Sequence, residues 1–153
     1  MASGDEARVI DPEFAVYGPP GLDVGSLLSG FCLAAVHQAH SDNSAAVDRI
    51  VECCGAIWES YRASMAEHGI DDEKLLFDVQ VESVGFCVAE VCRTALGFAG
   101  DRKWLQFDDE PTKRRAQRAA LRLVDRCMVR RHEGGMDLLL SELRNCATVE
   151  VAA

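Results

Sequence analysis

The five residues Tyr17-Gly18-Pro19-Pro20-Gly21 divide this chain into two unlike parts. Consecutive prolines fix φ and remove two backbone donors, so neither an unbroken helix nor an inner sheet strand passes through them. Ahead of the turn, residues 8–10 read as one short strand. Behind it, apolar residues recur at helical spacing from about residue 23 to 146. The chain is thus expected to be mainly α, a single domain over residues 1–153, with a short β-strand or hairpin at the N-terminus.

Four breaks divide the helical part. Asp23 sits where an N-cap is wanted, opening a helix over about 24–40 with Leu27, Leu28, Phe31, Ala35 and Val36 on a wide apolar face. Ser41-Asp42-Asn43-Ser44 interrupts the pattern and caps a second helix, about 45–68. Trp58 and Tyr61 on that helix can be read as a base-stacking platform, but aromatic residues at helical spacing more often pack in a core. Asp71-Asp72-Glu73 starts a third helix, about 74–96, with acids in its first turn. Gly85 within it allows close packing or a small kink. A polar loop carrying Trp104 and Phe107 folds back before Pro111 opens the next helix at its favoured position. Gly134-Gly135 then turns the chain into a last helix, 136–146.

Composition excludes some partners. The net charge of −9 argues against a general affinity for nucleic acid or an anionic membrane. The arginines from Arg114 to Arg131 lack interleaved aromatics and read as a solvated face. Seven cysteines, an odd number with no Cys-x-x-Cys spacing, predict reduced, mostly buried thiols and a cytoplasmic protein. The acidic first eight residues do not read as a signal peptide. The apolar run 22–39 contains Asp23, Ser26, Ser29, His37 and Gln38, which fits a buried helix and not a membrane span.

The chemistry points to Asp11-Pro12-Glu13-Phe14. Proline pushes the residue before it out of the helical region, so Asp11 is extended. Residues two apart in an extended segment face the same side, which pairs Asp11 with Glu13. Two adjacent carboxylates suit a hard cation such as Mg²⁺, whose oxygen ligands lie roughly 2.0–2.1 Å away. The same spacing also fits an ordinary turn with two solvated acids.

The longer run adds specificity. Asp11-Pro12-Glu13-Phe14, the pair Ala15-Val16, then Gly18-Pro19, Gly21-Leu22-Asp23-Val24-Gly25 resembles a segment of the S-methyl-5-thioribose kinases. Those enzymes belong to the protein-kinase-like, aminoglycoside-phosphotransferase-like superfamily, and the resemblance runs from about residue 9 to 146. It implies the helical C-lobe of a protein-kinase-like fold. It also implies that Asp11 and Glu13 hold the Mg²⁺ bound to ATP, that Asp23 braces a catalytic loop from below, and that Arg93 grips the sugar. In the family that helix ends in two arginines, two apolar residues and a glycine. Here the sequence is Arg93-Thr94-Ala95-Leu96-Gly97, with Thr94 in place of the second arginine, which leaves the exact sugar open. Helix physics alone makes Arg93 a favourable cation at the negative end of the dipole.

Kinase-like catalysis also needs a nucleotide-clamping sheet with its lysine and a catalytic-loop aspartate. The His-Gly-Asp loop that precedes the acidic motif in the family does not occur in the eight residues before Val9, and no Gly-rich loop replaces it. The resemblance therefore implies the C-terminal part of a small-molecule kinase, with no catalytic residue of its own and inactive alone. Completed by the missing lobe, it would use ATP to phosphorylate methylthioribose at the anomeric hydroxyl, a step of methionine salvage. The alternatives are a non-catalytic, kinase-derived interaction module and one half of a split kinase. ATP and methylthioribose are the expected partners, a homodimer stays open, and neither nucleic acid nor membrane is expected.

Overall fold

A computed structural model describes residues 17–98 and 105–146, with the backbone of Ala2–Ser3 and Glu6–Ala7. The protein is mainly helical. Strands β1 (Ala2–Ser3) and β2 (Glu6–Ala7) pair antiparallel, Ala2 opposite Ala7. The strand expected at residues 8–10 lies outside the described residues. Four helices follow: α1 (Gly21–Ala39), α2 (Ser44–Glu67), α3 (Glu73–Ala95) and α4 (Glu110–Asn145).

The start of α1 corrects the expected cap. Pro20, not Asp23, is the N-cap, and no side chain bonds the first turn. Proline presets a helical φ, here −55°, and the Leu22 N–H donates to the Pro19 carbonyl at 3.0 Å, so the turn itself begins the helix. Asp23 is the third helical residue, exposed, with its charge near the positive end of the dipole. Asn43 holds the N-cap position of α2 but does not bond it either. Its amide donates to Gln38 Oε1 at 2.7 Å, tying the α1–α2 turn together. By contrast, the side chains of Asp72 and Asp109 do cap α3 and α4, accepting from the Leu75 and Thr112 N–H groups at 2.8 Å.

Helix α4 is two arms joined at Gly135, where φ is 49° and ψ −126°, so the expected turn is there. Gln80 on α3 holds the elbow: its Oε1 accepts the Met136 N–H at 3.0 Å and satisfies a free donor of the second arm.

Helices α1 and α3 form the tightest seam. A Cβ on Gly21 would fall 2.4 Å from Glu82 Cβ, and one on Gly25 2.4 Å from the Ser83 carbonyl oxygen. Only hydrogen at these two positions lets the helices meet backbone to backbone. Around the seam the core takes Leu28, Leu33 and Val36 from α1, Val51 and Trp58 from α2, and Val84 and Val88 from α3. Leu123, Leu139 and Leu143 come from the two arms of α4. Each fully buried aliphatic side chain contributes about 1.5–3 kcal/mol. Trp58 is 3% exposed and stacks on Tyr61 at 5.5 Å, so this pair belongs to the core. Phe107 stacks on His37 at 4.7 Å, and the segment before α4 does fold back onto α1. Among the described residues, α1 is long and apolar enough to cross a membrane, yet it packs on α2, α3 and α4 as the helix of the core.

Candidate functional site

Asp11 and Glu13 lie outside the described residues. Among the described residues, no group of three or more His, Cys, Asp or Glu side chains is placed to hold a metal. The second half of the motif has a structural explanation: Gly21 and Gly25 are the two glycines of the α1–α3 seam. Glycines spaced four apart on a helix signal such a close approach, and that spacing is readable in the sequence.

Arg93 stands in the last turn of α3. The helix stops because the Phe98 N–H donates to the Arg93 carbonyl at 2.9 Å and the Gly97 N–H to the Thr94 carbonyl at 3.1 Å. Gly97 takes φ 83°, the left-handed conformation that this double cap requires. The glycine four residues after Arg93 thus fixes where the helix ends and presents the arginine there. Arg93 donates through Nη2 and Nε to Glu90 Oε2, at 2.8 and 3.2 Å. Glu90 escaped the sequence reading, although an acid three residues before an arginine on a helix is a recognisable pairing. The bonds through Nε and Nη2 leave Nη1 free among the described residues to reach a hydroxyl or a phosphate oxygen.

Thr94 points the other way. It is 8% exposed, and its Oγ1 is buried with no hydrogen-bond partner. An arginine at this position would need a different course for its side chain. Leu96 and Phe98, 54% and 77% exposed, continue the surface beyond Arg93. Asp23 is not brought beside Arg93. The start of α1 lies against Glu82, eleven residues before Arg93, or about 16 Å along α3 at 1.5 Å per residue.

Cys32, Cys54, Cys87, Cys127 and Cys146 offer no nucleophile, while Cys53 is exposed. Cys32 and Cys87 meet across the α1–α3 seam with sulfurs 3.5 Å apart, both fully buried. The contact with Cys87, and burial after it, push the Cys32 thiol well above its ordinary range. Burial, reinforced by Cys32, pushes Cys54, Cys127 and Cys146 up to about 12. Protonated, shielded sulfurs of this kind are packing groups.

Comparison with curated proteins finds relatives that all carry one name. The methylthioribose kinase of Geobacillus thermodenitrificans is 35% identical over 144 residues, 87% of this chain and 36% of that protein. The chain resembles the methylthioribose kinases. The Geobacillus kaustophilus protein of that name is 32% identical over 141 residues, covering 86% of the chain and 35% of the relative. The one from Exiguobacterium sibiricum is 29% identical over 147 residues, 87% and 36%. The chain thus spans about a third of the length of these methylthioribose kinases. No family model and no solved structure matches it.

Proposed function

We propose that this chain is the C-terminal, helical part of a cytoplasmic small-molecule kinase of the methylthioribose kinase type, inactive without a nucleotide-binding lobe. The similarity to methylthioribose kinases over 87% of the chain carries the reading. In it, Asp11 and Glu13 hold the Mg²⁺ of Mg²⁺-ATP, which spreads the charge of the transferring phosphoryl group. Arg93, braced by Glu90, donates to the hydroxyls of methylthioribose, and Asp23 supports the catalytic loop of the missing part. The exposed Leu96 and Phe98 beside Arg93 fit a surface that another stretch of polypeptide covers.

Phosphoryl transfer is almost entirely positioning and charge stabilisation, so a chain of 153 residues without a nucleotide clamp has little to catalyse with. The isolated chain, mixed with Mg²⁺-ATP and methylthioribose, is expected to give no phosphorylated sugar. Turnover that disappears in Asp11→Asn would overturn the inactivity while supporting the metal site.

A further inference from the structure

The outer faces of α3 and α4 form a shallow, open groove of about 280 Å³, lined by Glu82, Gly85, Phe86, Ala89, Met128 and Arg131. Its size is at the small end for ligand sites and suits a metabolite. Two opposite charges line it without pairing. The Arg131 stem lies across Gly85, with Cδ and Nε 3.5 and 3.4 Å from where a Cβ would stand. Nη1 is turned back onto its own helix, donating to the Met128 carbonyl and touching Met128 Sδ at 3.6 Å. Arg131 is half-buried, and no carboxylate meets it among the described residues. Its neighbours on α4 differ: Arg114, Arg126 and Arg130 all reach a glutamate within 3.2 Å.

Glu82 lies three residues before Gly85 on the same side of α3, a spacing that places side chains about 5–6 Å apart at Cβ. It is exposed and makes no ion pair among the described residues. Phe86, Ala89 and Met128 complete the lining as an apolar floor. A half-buried guanidinium whose only partners are neutral binds a carboxylate more strongly than any neutral acceptor. A simple organic anion would satisfy Arg131 but face the Glu82 carboxylate; a simple amine would meet the reverse problem. A zwitterion with a hydrocarbon body answers both charges and the floor.

We propose that this groove binds a free α-amino acid with an apolar side chain, its carboxylate on Arg131, its ammonium toward Glu82 and its side chain on Phe86, Ala89 and Met128. The proposal is independent of the kinase reading and needs neither ATP nor a second lobe. Isothermal titration of the purified chain with L-leucine, isopentylamine and 4-methylpentanoate tests it. L-Leucine is expected to bind saturably and about tenfold or more tighter than either singly charged analogue. Arg131→Met is expected to weaken L-leucine binding about ten- to a hundredfold, the loss of one charge-assisted bond. Ala89→Trp, which fills the floor and leaves both charges, is expected to abolish binding with the helical circular dichroism retained. No saturable binding of L-leucine, L-methionine or L-phenylalanine overturns the proposal. Equal affinity for the analogues overturns it too, as does undiminished binding in both Arg131→Met and Ala89→Trp.

Discussion

The α1–α3 seam and the outer face of α4 are built on opposite principles. At the seam, two glycines, Ser83 and the Cys32–Cys87 contact bring backbones together, and nothing there can move aside. On the outer face of α4, long arginines reach glutamates along the surface, as Arg130 does to the exposed Glu133 at 2.9 Å and to the more sheltered Glu142 at 3.8 Å. The seam is sensitive to a single methyl group, because close-packed interiors relax little. The face tolerates loss of a whole side chain, because exposed ion pairs are screened and cost entropy to hold. Glycine-rich sequence therefore fixes this fold, while arginine-rich sequence leaves its surface free for other uses.

Gly25→Ala should break the seam most clearly. Its Cβ would meet the Ser83 carbonyl, Phe86 Cβ and Cys87 nitrogen at 2.4–2.9 Å, so the helices must part. We expect a loss of about 3 kcal/mol, read from the denaturant midpoint. Gly30→Ala, on the same helix, has nothing within 4 Å of its new Cβ and should gain about 0.5–1 kcal/mol. Opposite signs from one substitution type, five residues apart, would sharpen the contrast; equal signs would remove it.

Arg130→Ala is expected to change stability by no more than about 0.5 kcal/mol, and by less in high salt. A larger loss would mean that the outer face contributes to the fold as the seam does.

The smallest effect concerns the start of α4. The Thr112 backbone N–H holds the Asp109 carboxyl below its ordinary range, with the Thr112 hydroxyl and Arg115 helping. A folded value lowered below the unfolded one gives stability that is present above the ordinary aspartate range. That stability is lost as pH falls through the lowered folded value. Asp109→Asn, which can still cap but does not titrate, should flatten this acid-side slope in a thermal melt; an unchanged slope would contradict the assignment.

Helical spacing carried the helical architecture, with the last two of the five expected helices appearing as the two arms of α4, because amphipathic periods and turn residues are local signals. Gly97 and Gly135 were legible for the same reason, since left-handed positions select glycine. Asp23 was misplaced at the N-cap because Pro20 can start a helix with no side-chain acceptor, which no cap preference encodes. The burial of Thr94 was hidden as well: its side chain faces the core one residue after an exposed Arg93, and only packing decides that. Arg131 looked like any other arginine of α4 until its place over Gly85, three-dimensional information that no spacing contains, set it apart.

The most direct test of the kinase reading is complementation. The segment of the Geobacillus thermodenitrificans methylthioribose kinase that lies upstream of the matched region would be joined to this chain. Phosphate transfer from Mg²⁺-ATP to methylthioribose would then be measured. The account predicts transfer that Asp11→Asn abolishes and that Arg93→Ala reduces about ten- to a hundredfold in kcat/KM, the loss of one charge-assisted bond to the sugar. A folded chimera that transfers no phosphate, or one whose activity ignores both substitutions, would contradict it.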